Sequence, residues 1–156
     1  MSITVDQATT AHVGIAFFDA FNEHDLDAAL SMLTAGASVD LEPAGWVSAR
    51  PAELRAFLSE VLAAFPDAEF RIRRTARLGD GSVFVEGVLA GNQRARFLGA
   101  PHQGAYLSIA QAWVLGTDAG AITSIAGYWS QDTVFRRLGV RHVDELSGWP
   151  EGGRIP

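Results

Sequence analysis

Hydrophobic positions along the chain change their period near the middle. From about Gln7 to Phe65 apolar residues recur every three or four positions, as on helices; from about Ala68 to Ser130 they alternate, as on strands. Val13, Phe17 and Phe21 make a helical stripe at i, i+4 and i+8. Asn22-Glu23-His24-Asp25 interrupts it, and Asp25 is placed to cap a second short helix over Leu26–Leu33. Gly36 opens a short strand, Ala37–Glu42, after which Pro43-Ala44-Gly45 reads as a loop with Trp46 just beyond it. Pro51 suits the first position of a third helix and Glu53 its positive end. Leu54, Phe57, Leu58, Val61, Leu62 and Phe65 form its buried stripe, and Pro66 ends it.

The second half reads as four strands. Glu69–Leu78 and Ser82–Gln93 flank Gly79-Asp80-Gly81, a hairpin signal. A loop, Phe97–Gly104, leads to Ala105–Leu115; the turn Gly116–Gly120 leads to Ala121–Ser130. A last helix, Gln131–Leu138, stops at Gly139, a suitable C-cap. This order predicts one α+β domain over residues 1–140, its N-terminal helices packed on a curled, mainly antiparallel sheet, and a tail over 141–156. A sheet curled round a helix makes a cone, and its open end is where a pocket for a small, largely apolar molecule is expected.

Composition narrows the chemistry. The 156 residues are 48% apolar and 19% charged, as in a globular domain, and hold no cysteine, so disulfides, thiolate nucleophiles and zinc–thiolate sites are excluded. The net charge of −6 without a long basic run argues against nucleic acid, and Arg71, Arg73, Arg74 and Arg77 read as a solvated strand face, three of them sharing parity. No apolar run has the length of a membrane helix and Met1–Thr10 does not look like a signal peptide, so a cytoplasmic location is expected. No Gly-rich dinucleotide fingerprint, no Gly-x-Ser-x-Gly elbow and no paired-histidine metal spacing is present, so neither a cofactor nor a metal is implied.

Four segments occur in a familiar order: Phe21-Asn22-Glu23-His24-Asp25-Leu26, Leu62-Ala63-Ala64-Phe65-Pro66-Asp67, Phe97-Leu98-Gly99-Ala100-Pro101, and Tyr128-Trp129-Ser130-Gln131 leading to Phe135-Arg136-Arg137-Leu138-Gly139. On these the chain resembles, from about Ala11 to Val140, the SnoaL-like polyketide cyclases of the nuclear transport factor 2-like superfamily. The resemblance implies a cone-shaped α+β barrel and cofactor-free cyclase or isomerase chemistry on an apolar, carbonyl-rich metabolite. The superfamily also holds epoxide hydrolases, dehydratases, cofactor-free oxygenases and proteins that only bind, so these alternatives stay open. Related cyclases typically carry an aspartate where this chain has Ser130, and Asp132 is the nearest carboxylate.

A cofactor-free cyclase removes a proton from a carbon between carbonyls and stabilises the enolate. It needs a carboxylate as base and neutral donors for the oxyanion. Asp132 is the candidate acid–base, although an aspartate in a helix's first turn also serves the helix dipole. His102, in the Gly99–Gly104 loop, is a second proton carrier or a plain loop histidine. Gln111 and Trp113 share a strand face with Leu107, Ile109 and Leu115; the glutamine needs a partner if buried, either a ligand oxygen or backbone. Tyr128 and Trp129 point to opposite faces, so at most one lines a cavity; Tyr106 is the other phenol. Trp46, with Phe57 and Phe65, is expected on the apolar wall. Asp40 with Glu42, and Glu86, read as solvated strand faces; His24 and Asp25 read as stabilisers of the interhelical turn. The uncovered face of the sheet makes a homodimer the expected assembly.

Overall fold

The computed structural model describes residues 13–140. The predicted helical stretch before residue 13 and the tail after Val140 lie outside the described residues. Helix α1 covers residues 13–22, and α2 covers Leu26–Ser31. Strand β1 (Leu33–Leu41) and a 3-10 turn (Glu42–Ala44) lead to β2 (Trp46–Ala49) and helix α3 (Pro51–Ala64). Strands β3 (Glu69–Arg77), β4 (Val83–Asn92), β5 (Tyr106–Asp118) and β6 (Ala121–Tyr128) precede α4 (Gln131–Arg137).

The strands form one sheet in the order β2-β1-β6-β5-β4-β3. β1 runs parallel to β6 and every other neighbouring pair is antiparallel. The expected α+β architecture is therefore present, with the sheet open at β2 and β3 and not closed into a barrel. Along β5 the buried residues are Leu107, Ile109, Gln111, Trp113 and Leu115, so odd positions face the helices and even ones face away.

Local chemistry explains the elements. The Asp25 carboxylate accepts the Ala28 N–H at 3.0 Å and caps α2. Glu53 accepts the Arg50 N–H at 3.1 Å, with Pro51 occupying the first turn of α3 where no donor is missed. Asn22 clamps the end of α1 to the outer strand: its Nδ2 donates to Phe70 O at 2.9 Å, and its Oδ1 accepts from Phe70 N at 2.7 Å. It thereby satisfies backbone groups that an edge strand leaves open. His24, in the left-handed region at φ 61°, places a ring nitrogen 3.3 Å from Ala68 O, so the interhelical turn is held as its sequence suggests.

Several boundaries move. The second helix stops at Ser31 and not Leu33, because Leu33 pairs with Ile122 of β6 and Ile122 N donates to Met32 O at 2.8 Å. The first strand begins at Leu33 and contains Gly36, whose missing side chain faces open space. β2 is an additional strand, too short to show alternation, paired with β1 through Val39↔Ala49 and Leu41↔Trp46. Glu42 falls in the 3-10 turn, so it does not share a strand face with Asp40, whose Oδ1 instead accepts Ser48 N at 2.8 Å. The third long strand continues through Gly116 to Asp118, leaving Ala119 and Gly120, both at positive φ, as a two-residue hairpin turn. Gly116 sits at a register shift against Ser124, whose side chain occupies the space a Cβ would need; it marks a bulge and not a turn. A second bulge, between Ile72 and Arg74, resets the parity of β3, so the arginines do not alternate as their numbers suggest. Arg74 meets Glu86 at 2.7 Å and Arg71 meets Glu69 at 3.3 Å, on the solvated face.

Candidate functional site

The interior between the helices and the inner face of the sheet is lined mainly by aromatic rings. Phe17, Phe18 and Phe21 enter from α1; Phe57, Leu58 and Val61 enter from α3. Phe70, Leu89, Gln111 and Trp113 complete the wall from β3, β4 and β5. Phe18 lies on Phe70 with ring centres 4.4 Å apart, and Trp113 packs edge-on to Phe18 at 5.7 Å. The cavity these residues enclose is about 20 Å³. That holds roughly one water molecule, whereas drug-sized ligands occupy about 300–1,000 Å³. In this conformation the rings fill the interior.

Gln111 is the polar member of that wall. Its Oε1 accepts the Trp113 indole N–H at 3.1 Å. The bond fixes the amide, because a reversed amide would set donor against donor. Nε2 is therefore presented as a donor, and it forms no hydrogen bond to the described residues. None of the ten residues bounding the cavity is a carboxylate or a histidine.

A second aromatic group continues from this wall. Trp129 follows the end of β6 and stacks on Phe57 with centres 5.7 Å apart and planes 23° from parallel; it lies 6.0 Å from Trp113. Both indoles cover Gly127, where a Cβ would stand 2.7–2.9 Å from their ring carbons, so only glycine leaves room for the pair. Trp129 Nε1 donates to Gln131 Oε1 at 2.7 Å. Trp46 is half-buried, edge-on to Phe57 at 5.6 Å, and Phe65 is buried edge-on to Phe97 at 5.2 Å. Both belong to the aromatic interior without bounding the cavity itself.

The remaining predicted residues lie elsewhere. Asp132 is 59% exposed and its Oδ2 meets Arg136 Nε at 3.0 Å, one turn along α4. Ser130 caps that helix, its Oγ accepting Thr133 N at 3.1 Å. His102 is exposed and its Nδ1 accepts Gly104 N at 3.1 Å. Tyr106 and Tyr128 are 59% and 52% exposed on the outer face of the sheet. The structure thus brings Gln111 and Trp113 together at the cavity, and Asp132, His102, Ser130, Tyr106 and Tyr128 do not join them.

Sequence reasoning passed over Gln131 and Gln93, both fully buried, and gave Phe18 no place in the α1 stripe. Gln93 Nε2 lies 3.2–3.3 Å from the carbonyl oxygens of Ala95, Ala100 and Pro101 and holds the Phe97–Gly104 loop to the end of β4. Glu60 of α3 adds an anchor by accepting Leu98 N at 2.9 Å. A glutamine as the last residue of a predicted strand was the available signal for Gln93. Among the described residues no group of histidines and carboxylates has the arrangement of a metal site, and no helix is long and apolar enough to cross a membrane.

The SnoaL-like domain family matches residues 15–125, most of the described fold. The chain belongs to this family. No curated protein matches it in sequence. Among solved structures it is similar to a candidate polyketide cyclase from Xanthomonas campestris, with TM-score 0.76 and 20% identity over 85% of this chain and 98% of that one. AclR, a candidate hydroxylase from Streptomyces galilaeus, gives TM-score 0.76 and 17% identity over 85% and 97%. A protein of ketosteroid isomerase-like fold from Catenulispora acidiphila gives 0.70 and 21% over 85% and 95%. At these identities the likeness is one of fold.

Proposed function

We propose that the protein binds a small, flat, apolar molecule carrying a carbonyl, of the polyketide kind, between α1, α3 and the inner face of the sheet. The observation that supports this reading is the Gln111 amide, turned by Trp113 so that a donor stands unanswered on an aromatic wall. Rings supply apolar contact area, and one fixed donor selects for an acceptor oxygen.

Cofactor-free cyclase or isomerase chemistry is the second reading, favoured by membership of a family with neighbours named as cyclases. In it the Gln111 N–H stabilises an enolate oxygen. The proton exchange is assigned to Asp132 with His102, which lie outside the cavity in this structure, so this reading requires Asp132 to leave Arg136 and the α4 end to close on the bound molecule. The expected location is cytoplasmic. The expected assembly is a homodimer through the outer face of the sheet, where Tyr106 and Tyr128 are exposed.

One comparison tests both readings: 1-tetralone against its hydrocarbon tetralin, with binding followed by ligand-observed NMR and exchange of the tetralone α-proton followed in D2O. The ketone is expected to bind about two- to tenfold more tightly, and Gln111→Leu to erase the difference. Equal affinities in the wild type would remove the basis of the binding reading. Catalysed exchange that disappears in Asp132→Asn supports the second reading; exchange at the buffer rate with tetralone bound counts against it.

A further inference from the structure

Besides Gln111, two fully buried glutamines each leave one amide atom unmatched among the described residues: Gln93 Oε1 and Gln131 Nε2. Their situations differ. Gln93 already donates to three carbonyls, and only its acceptor is idle. Gln131 is fully buried, and its Oε1 accepts the Trp129 indole N–H at 2.7 Å. That bond settles which way the amide faces, since the reversed amide would place N–H against N–H. A donor is left in a dry setting with no acceptor among the described residues, an arrangement that lowers stability and that native proteins seldom keep without a use.

The construction repeats the one on β5. There Gln111 accepts from Trp113, and here Gln131 accepts from Trp129, each across a spacing of two residues. The two indoles are 6.0 Å apart and share the space over Gly127. One indole pair therefore carries an oriented amide on each member, and both amides expose donors only. We propose that Gln131 is a second ligand-binding residue, its amide turned by Trp129 so that Nε2 donates to an oxygen of a molecule held against the indole pair. The inference rests on the reading of Gln111 and extends it: the preferred molecule has two acceptor oxygens on an apolar frame. A hydrocarbon leaves both donors idle, a monoketone answers one, and a diketone or quinone answers both.

The test uses the full chain and three probes of increasing acceptor count: tetralin, 1-tetralone and 1,4-naphthoquinone. Affinity is expected to rise in that order. Gln131→Leu should weaken naphthoquinone about tenfold, to the level of tetralone, and leave tetralin unchanged. Trp129→Phe keeps the amide and removes what orients it, together with part of the apolar wall; it should weaken all three probes, the naphthoquinone more than tetralin, and that excess loss decides the matter if the leucine variant does not fold. A purely structural Gln131 would shift all three probes alike. Undiminished naphthoquinone binding in Gln131→Leu, with tetralone still favoured over tetralin, overturns the role of Gln131 and leaves that of Gln111 standing. Failure of the wild type to distinguish tetralone from tetralin, or to bind any probe, overturns both.

Discussion

Asp67, in the link between α3 and β3, accepts two hydrogen bonds from Asn92: the backbone N–H at 2.8 Å and the side-chain Nδ2 at 2.7 Å. The side-chain bond, then the backbone bond, hold its carboxyl below the ordinary aspartate range. A depressed pKa means that the folded state prefers the ionised form. The contribution is therefore fully present above the unfolded value of about 4 and is lost as pH falls through the folded value. Asp67→Ala is expected to cost less than about 1 kcal/mol at pH 7, because the group is exposed and screened. Urea denaturation should show this difference shrinking below about pH 4. A difference that stays constant from pH 7 to pH 3 would mean that the ionised carboxylate is not what matters. Asp80, lowered by the Ser82 hydroxyl and N–H, titrates with the same sign in the unmodified hairpin of both proteins.

Elements differ in how openly the sequence announces them. Helix α3 was legible end to end because its stripe, its Pro51 start and its Pro66 stop agree. The β3–β4 hairpin was legible because Gly79-Asp80-Gly81 sits between alternating runs. β2 and the full length of β1 were not, since each owes its form to a partner distant in sequence: β1 to the parallel β6, and β2 to β1. The candidate site divides in the same way. Gln111 stood out as a polar residue on an apolar strand face, and alternation set Trp129 opposite Tyr128 as the structure has it, while Gln131 lies past the last strand, where alternation no longer says which way a side chain turns. Asp132 and His102 were conspicuous by chemistry alone, and chemistry carries no orientation. The loop before β5 shows an element depending on one side chain. Gln93→Leu leaves the carbonyls of Ala95, Ala100 and Pro101 without their shared donor, at a cost of about 1–3 kcal/mol. Hydrogen exchange should then accelerate at residues 97–104 before it changes in β5. Uniform acceleration across the sheet would instead assign Gln93 to global stability.

On the scale of the whole molecule, the sheet has two unlike faces. The inner one is covered by α1 and α3, whereas the outer one carries Ala110 and Ala112 between the levels of the exposed Tyr106 and Tyr128, with Val114 and Ala126 just past Tyr128 and Glu86 and Asp40 on the neighbouring strands. Small apolar side chains make a flat surface, and exposed phenols add area that tolerates both water and contact. A second copy related by a two-fold axis is the occupant that such a face suits, because the same patch then serves both partners. Ala112 lies on β5, inside the sheet and paired on both sides, to Glu86 and Tyr128. An arginine there points outward and spares the interior, and in a two-fold dimer through this face it would bring a charge onto the apolar patch of both copies. Sedimentation equilibrium should accordingly give twice the 16.7 kDa chain mass for the wild type and the single mass for Ala112→Arg, with the far-ultraviolet circular dichroism unchanged. A wild type that stays at the single mass up to the highest concentration reached, or an arginine variant that still doubles, would take the outer face out of the assembly. The inner-face chemistry would then have to be read for the protein as a monomer in the first case, or with another surface joining the copies in the second.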